Sequence, residues 1–373
     1  MKFKINLSYN PIDGKKIART LEGYQDRHHS EIVHDFENQI RELTGSRYVV
    51  ALNTGTAAIH LALRALGVTN GDYVLVSTFT YVASVNPILY QGAIPFFIDS
   101  EMDTWNMDPN LLKKAIEQLI SEHKKPKAIV VVHAYGMPAK MNEIIAIANH
   151  YSIPIVEDAA EAIGSYYKGK HVGVFGSIGT LSFNTNKIVT TFGGGAILTD
   201  NQAYYQKILF WATQSREDKP HYEHQELGFN YRMSPVNAAV GLSEWTDIPN
   251  KLKERKKVFE YYQAALKNVN GFSFQKQDDA LQSNHWFSTI LIDRRNALNQ
   301  LTNTKLMQKL TKEGMEARLM WNPMHRQPLF HKYDSILNGV SDHLFESGLC
   351  LPSDHDALLH QDQIVQVIKE SYV

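Results

Sequence analysis

The sequence predicts an α/β protein: a large domain with a mainly parallel sheet flanked by helices, followed by a smaller α+β domain. Three observations predict it. Strand-like and helix-like patterns alternate from about residue 48 to residue 199, as a doubly wound sheet requires. The polar stretches NTGT, TFTY and EDAAE each follow a strand-like run, at the end of such a sheet where ligands gather. Beyond about Thr246 the alternation stops, and a long charged helix pattern leads into short strand candidates. The 373 residues are too many for one compact core. The expected division is a large domain over 1–245, with an N-terminal extension, and a small domain over 246–373.

Residues 1–30 are polar and read as irregular. The run Ser30 to Leu43 sets Ile32, Val33, Phe36, Ile40 and Leu43 on one face and predicts a helix. Tyr48 to Leu52 is a strand, NTGT a break, and Ala57 to Leu66 a helix closed by Gly67. Strands follow at 73–77, 93–98, 128–133, 153–157, 178–183 and 195–199, with helices at 111–123 and 141–151. In the second part a helix is expected over 251–266, strands near 272–274 and 286–292, and helices at 305–313 and 361–370.

Bulk composition bounds the function. Hydrophobic residues make up 43% and charged residues 21%, with a net charge of −1, which is ordinary for a globular protein and gives no electrostatic pull toward nucleic acid. No apolar run is long enough to cross a bilayer, and the opening MKFKINLSYNPIDGKK lacks the apolar core of a signal peptide. The single cysteine, Cys350, excludes an internal disulfide, and the 16 histidines form no HExxH pair. A cytoplasmic protein without a metal, a membrane or a nucleic-acid partner is the expectation.

Four stations carry candidate chemistry. Asn53-Thr54-Gly55-Thr56 opens a helix, whose free N–H groups and positive end attract an anion. Alone, a plain helix cap explains it more often. Asp158 ends a strand that reads as buried, where a carboxylate needs a partner. A protonated ring nitrogen is one such partner and a helix cap another. Lys187 follows the strand-like run ending in Ser182-Phe183, in a segment poor in charge, with Gly193-Gly194-Gly195 beyond. A buried lysine amine is suited to imine chemistry with a carbonyl, although most lysines are simply exposed. In Thr78-Phe79-Thr80-Tyr81 an aromatic belongs either to the core or to the face of a flat ring.

Together the stations resemble the DegT/DnrJ/EryC1/StrS family of sugar aminotransferases, within the fold-type I, aspartate aminotransferase-like pyridoxal-phosphate enzymes. The matching stretches are NTGTAAIHLAL, VSTFTYVASVN, GAIPFFIDS, VEDAAEAIGS, LSFNTNK with GGG, and GFNYRMSPVNAAVG, in order from about residue 30 to 245. Weaker agreement runs from RLMWNPMHRQPLF to LPS at 351–353. The resemblance implies that Lys187 is the lysine that carries pyridoxal 5′-phosphate and Asp158 the carboxylate paired to its ring nitrogen. It implies that Tyr81 stacks on the ring and that Gly55, Thr56 and Ser182 cradle the phosphate. Asn230 matches a residue that reaches the neighbouring subunit's phosphate, which implies a homodimer with shared active sites. Arg232 matches a position that orders the same loop, and His325 a histidine near the substrate entrance.

Two departures stand out. Glu161 occupies a cofactor-binding position near the phenolic oxygen where many members have His or Gln, and a carboxylate there repels a phenolate unless protonated or turned away. The glycine-bearing loop before the first large helix is replaced by YQDRHHSE. Two decoys are set aside. GSYYKGKH from Gly164 to His171 nearly spells a P-loop, but His171 stands where a Ser or Thr would hold magnesium. Tyr166 and Lys170 form a YxxxK without the glycine-rich turn of a dinucleotide fold. A β-turn between short strands is expected there instead.

The implied reaction is a two-stage transamination. An amino acid, usually glutamate in the family, gives its amino group to the cofactor, and a nucleotide-linked keto-sugar then receives it. Lys187 moves the proton as base and then acid. The segment SFNTNKIVTTFGGG is most similar to that of members acting on UDP-linked 4-keto-6-deoxy sugars built from N-acetylhexosamine. Amination of a cyclitol or another ring ketone is not separated by these motifs. The sugar dehydratases of the family carry histidine in place of the lysine, and Lys187 argues against that activity. A non-catalytic regulatory or binding protein would have little reason to keep Lys187, Asp158, Tyr81 and Ser182 together. A sugar-nucleotide epimerase would need a glycine fingerprint absent here.

Overall fold

A computed structural model describes residues 3–8, 11–276, 279–293, 295–296 and 301–372. Its centre is an eight-stranded sheet. In spatial order the strands are Tyr48–Leu52, Gly195–Thr199, Ile178–Ser182, Ile155–Asp158, Ala128–Val132, Tyr73–Ser77, Ile94–Ile98 and Ser335–Ile336. Only Gly195–Thr199 runs against the others. Ala128–Val132 (AIVVV) lies mid-sheet and is buried along its whole length, as an unbroken β-branched run requires when both faces are covered. One apolar cluster fills each face, centred on Phe36 and Trp105 on one side and on Leu61 and Phe97 on the other.

The helix Gly55–Ala65 packs on Ile178–Ser182 and Gly195–Thr199. Its residues Ala57 to Leu63 are all buried, so it is held by packing around its whole circumference. The helix His29–Thr44 begins at a capping box formed by His28 and Glu31 and ends at Gly45 in the left-handed region. Its fully buried Phe36 and Ile40 each contribute about 1.5–3 kcal/mol of apolar burial.

The C-terminal part builds a second, antiparallel sheet in the order Phe272–Ser273, Ser288–Ile292, Gly348–Leu351 and Arg318–Leu319. Helices Ile248–Leu266, Asn303–Lys312 and Gln361–Tyr372 share a third apolar cluster with it. The strand Ser335–Ile336 belongs to the edge of the large sheet although it comes late in the chain. No described helix is long and apolar enough to cross a membrane.

Three readings change. Residues 14–22, expected to be irregular, form the helix Gly14–Glu22, with Asp13 accepting from the N–H groups of Lys15 and Lys16. Its apolar stripe is only Ile17 and Leu21, four residues apart and half-buried, too short a repeat to announce a helix in sequence. The helices Gln202–Ala212 and Pro235–Trp245 were not anticipated. The GSYYKGKH segment is a hairpin, as expected: Tyr166–Tyr167 pairs with Lys170–His171 around Lys168 and Gly169, both with positive φ. His171 is buried and accepts from Gly164 N–H at 2.9 Å.

The sheet aligns its carboxyl ends. Leu52, Ser77, Val132, Asp158 and Ser182 end neighbouring strands on one edge, and Gly195 begins the reversed strand beside them. A Cβ at Gly195 would stand 2.5 Å from the Thr54 carbonyl group and from Gly55 N. Gly195→Ala is therefore expected to destabilise the fold by about 1–3 kcal/mol through overpacking, measured by urea unfolding. It should also shift the start of the helix Gly55–Ala65.

Candidate active site

A cleft of about 530 Å³ opens at those strand ends. Gly55, Thr56, Tyr81, Asp158, Glu161, Ser182 and Lys187 line it together. At one corner the helix Gly55–Ala65 begins. Thr54 Oγ1 accepts from Ala57 N–H at 3.0 Å and Thr54 O from Ala58 N–H at 3.2 Å. The N–H groups of Gly55 and Thr56 have no acceptor within the helix by geometry. A Cβ at Gly55 would approach Ser182 Cβ to 3.1 Å, so glycine keeps the helix start against Ser182. Two hydroxyls and two first-turn N–H groups converge on this corner, a seat suited to a phosphate.

Asp158 stands elsewhere in the cleft, 5% exposed. Ser84 Oγ–H donates to its Oδ2 at 2.6 Å, and Ala160 N–H to Oδ1 at 3.1 Å. Ser84 is in turn 2.7 Å from Thr80 Oγ1. Sequence reasoning did not single out Ser84, although it lies three residues past Tyr81 within the matching stretch VSTFTYVASVN. Tyr81 is 59% exposed at the mouth. The floor includes Tyr135, Trp286 and Trp321; Tyr135 and Trp321 stack at 4.1 Å between centroids. Tyr135 and Trp286 carried no motif in the sequence, and Trp321 lay unremarked within RLMWNPMHRQPLF.

The Lys187 side chain is 12% exposed, and its Nζ is 3.3 Å from Glu161 Oε1. Glu161 Oε2 accepts the Tyr135 N–H at 2.9 Å. The carboxylate is thus turned toward the lysine and a backbone donor. Burial pushes the Glu161 carboxyl up to about 7, against the pull of Lys187 and the Tyr135 N–H, with nearby Asp158 adding to the rise.

Three residues named from sequence, Asn230, Arg232 and His325, lie outside this cleft. The Asn230 side chain is exposed, and its carbonyl accepts from Asn53 Nδ2 at 3.3 Å. His325 Nδ1 is 2.8 Å from Thr78 Oγ1, and its Nε2 is 3.3 Å from Asp342. Arg232 donates to Glu37 and, at 3.0 Å, to Ala51 O, which ties the 228–234 segment to the first strand.

The arrangement joins an anion seat, a buried carboxylate and a primary amine in one closed space. It suits a flat phosphorylated ring with a basic nitrogen and a carbonyl that the amine can attack.

Residues 13–370 match the sequence profile of the DegT/DnrJ/EryC1/StrS aminotransferase family. EpsN of Bacillus subtilis (strain 168), named as a pyridoxal phosphate-dependent aminotransferase, is 42% identical over 342 residues, covering 90% of this chain and 87% of that protein. GDP-perosamine synthase of Escherichia coli O157:H7 is 36% identical over 323 residues, covering 86% and 84%. The crystal structure of a DegT DnrJ EryC1 StrS aminotransferase from Brucella abortus superposes with a TM-score of 0.87 at 27% identity, over 96% of this chain and 95% of that one.

A stability consequence follows from Glu161. A carboxyl whose folded pKa lies above its unfolded value stabilises the fold at low pH and loses that contribution as pH rises through the folded value. The gap in melting temperature between Glu161→Gln and the parent is expected to be small at pH 5 and to widen in favour of the variant up to pH 8. Thermal unfolding across that range checks it.

Proposed function

The chain belongs to the DegT/DnrJ/EryC1/StrS aminotransferase family, and from that premise we propose that it moves an amino group from glutamate to the carbonyl carbon of a nucleotide-linked keto-sugar. The supporting observation is the cleft that gathers Lys187, Asp158 and the Gly55–Thr56–Ser182 corner. Those residues fit pyridoxal phosphate. The tight approach of Gly55 to Ser182 leaves hydroxyls and N–H groups for the phosphate, and Asp158 is a carboxylate for the ring nitrogen.

When bound, the cofactor supplies an electron-withdrawing ring that stabilises negative charge at the carbon losing its proton. Asp158, oriented by Ser84 and Ala160, would keep the ring nitrogen protonated through opposite charge. Lys187 Nζ would hold the cofactor and, once displaced as a neutral amine, would take the proton from the donor α-carbon as base and give it up again as acid. In the second stage it moves a proton in the reverse sense on the sugar side. Tyr81, at the mouth, would lie over the ring. Glu161 is turned toward Lys187 and the Tyr135 N–H. His325 is kept as a candidate substrate contact, one residue from Met324, which lines the depression beside Tyr81 and Trp321.

The homodimer belongs to this reading. Asn230 is exposed and away from its own cleft, as a residue serving a second copy must be. Asn230→Ala chains and Lys187→Ala chains, each impaired alone, are expected to recover about a quarter of parental turnover when mixed and exchanged, because a heterodimer of shared sites holds one intact site. No recovery despite chain exchange would dismiss the shared site.

For the sugar, the reading is a UDP-linked 4-keto-6-deoxy-N-acetylhexosamine, on the strength of SFNTNKIVTTFGGG. A GDP-linked sugar is the second reading, favoured by the name of the E. coli relative. Protein loaded with the amino form of the cofactor should convert a UDP-linked 4-keto sugar to its amine, read by mass spectrometry. Conversion of GDP-linked sugars alone would replace the nucleotide. Conversion of no nucleotide sugar would move the acceptor to a free cyclitol or other ring ketone. Lys187→Ala should stay folded by circular dichroism, lose the visible band of bound cofactor and lose at least about a thousandfold in turnover. Retention of both band and turnover would refute the mechanism.

A further inference from the structure

Two side chains close to Lys187 Nζ bear on its charge. The amine lies 3.3 Å from Glu161 Oε1 and 3.9 Å from the centroid of the Trp286 ring. A carboxylate and an indole face both attract a cation, and more strongly in a closed cleft than in water. Both neighbours are fixed. Glu161 is held by the Tyr135 N–H at 2.9 Å. Trp286 is 4% exposed, donates its Nε1–H to Asn186 O at 2.8 Å, and offers its own carbonyl to the buried guanidinium of Arg255 at 2.6 Å. Because Asn186 precedes Lys187, one indole holds both the amine and the backbone that carries it.

We infer that Glu161 and Trp286 form a seat for Lys187 in its disengaged, charged form, the place the amine occupies while the cofactor carries the amino group. The inference rests on the proposed transamination, which requires the lysine to leave and return. A donor ammonium gives up one proton to become a nucleophile. Its nitrogen would take the place of the lysine nitrogen on the carbonyl carbon of the cofactor, with that proton ending at the donor nitrogen, so that Lys187 leaves as the neutral amine that can act as base. Once the proton has been moved and the keto acid has gone, Lys187 takes up a proton from water and rests as an ammonium. A charge set free in a buried cleft is costly unless partnered. The seat supplies the partner and favours the half of the cycle in which the lysine is free. Trp286 is a positioning residue for that departed amine.

The test is an equilibrium, not a rate. Holoenzyme is titrated with glutamate and 2-oxoglutarate, and the lysine-linked fraction is read from the visible band for the parent, Trp286→Phe, Trp286→Leu and Glu161→Gln. Trp286→Leu and Glu161→Gln should each shift the half-reaction constant about tenfold toward the lysine-linked form, and Trp286→Phe, which keeps a weaker ring face, by about threefold. A merely structural role would lower the melting temperature or cofactor affinity and leave this constant unmoved. Constants within twofold of the parent in both Glu161→Gln and a folded Trp286 variant overturn the seat; if Trp286→Leu does not fold, Trp286→Phe carries that arm. A parent protein that shows no interconversion of two spectra overturns the proposed function, and the seat with it.

Discussion

The cleft depends on how one strand end accommodates two adjacent buried carboxylates. Glu157 and Asp158 close the strand Ile155–Asp158 and, by the alternation of a strand, point to opposite faces. Glu157 is wholly buried. It accepts from the N–H groups of Gly173, Phe175 and Gly176 at 2.8, 2.5 and 2.5 Å, and from His133 Nε2–H at 3.1 Å. Burial alone would raise its carboxyl, but His133 and the N–H groups of Gly176 and Gly173 outweigh it and hold the group below the usual range. His133 can donate from Nε2 because its Nδ1 accepts the Ala139 N–H at 3.0 Å. One carboxylate thus fastens the 173–176 turn and the 133–139 loop, and the latter carries Tyr135, which in turn orients Glu161. Removing one partner of such a buried network leaves an unpaired charge, the costly case.

The other carboxylate is left for chemistry. Asp158 has two short donors, Ser84 Oγ–H and Ala160 N–H, fewer than Glu157 has. Residue parity therefore turns Glu157 toward the loops it fastens and Asp158 toward the cleft. Opposite Asp158, the amine of Lys187 comes from a turn held partly by the C-terminal region, through Trp286 and Arg255. The site draws its walls from both parts of the chain.

This distribution explains what could be read in advance. Strands such as Tyr73–Ser77 and Gly195–Thr199 were legible because their residues are buried on both faces and turn signals bound them. Gly55, Thr56, Asp158, Ser182 and Lys187 were legible because each follows or ends a strand, so local pattern placed them at one edge. Trp286 was not, because nothing in SNHWFSTI says that its indole meets a residue a hundred positions earlier. Tyr135 was hidden for a similar reason: its φ of 55° turns a tyrosine from an ordinary apolar stretch into the floor of a cleft. Ser335–Ile336 is only two residues long, too short for any periodicity, and its place is set by pairing with Phe97 and Ile98 and by Asp99, whose carboxylate accepts from the N–H groups of Asn338, Gly339 and Ser341. The helix Gly14–Glu22 escaped because its apolar face is only Ile17 and Leu21 within a short charged stretch.

The turn that bears Lys187 is fastened by pieces distant along the chain. Asn186 O accepts from Ser8 Oγ–H at 3.2 Å as well as from Trp286, and Arg255 donates to Ser8 Oγ at 3.0 Å. Segments from the beginning, the middle and the last third of the polypeptide meet at one carbonyl. Contacts of such wide sequence separation form slowly, because loop closure must precede them. A nascent chain can build much of the large sheet while this knot is still untied. Acquisition of the cofactor's colour would then mark the last act of folding, and a truncated chain would stay colourless even where its sheet is sound.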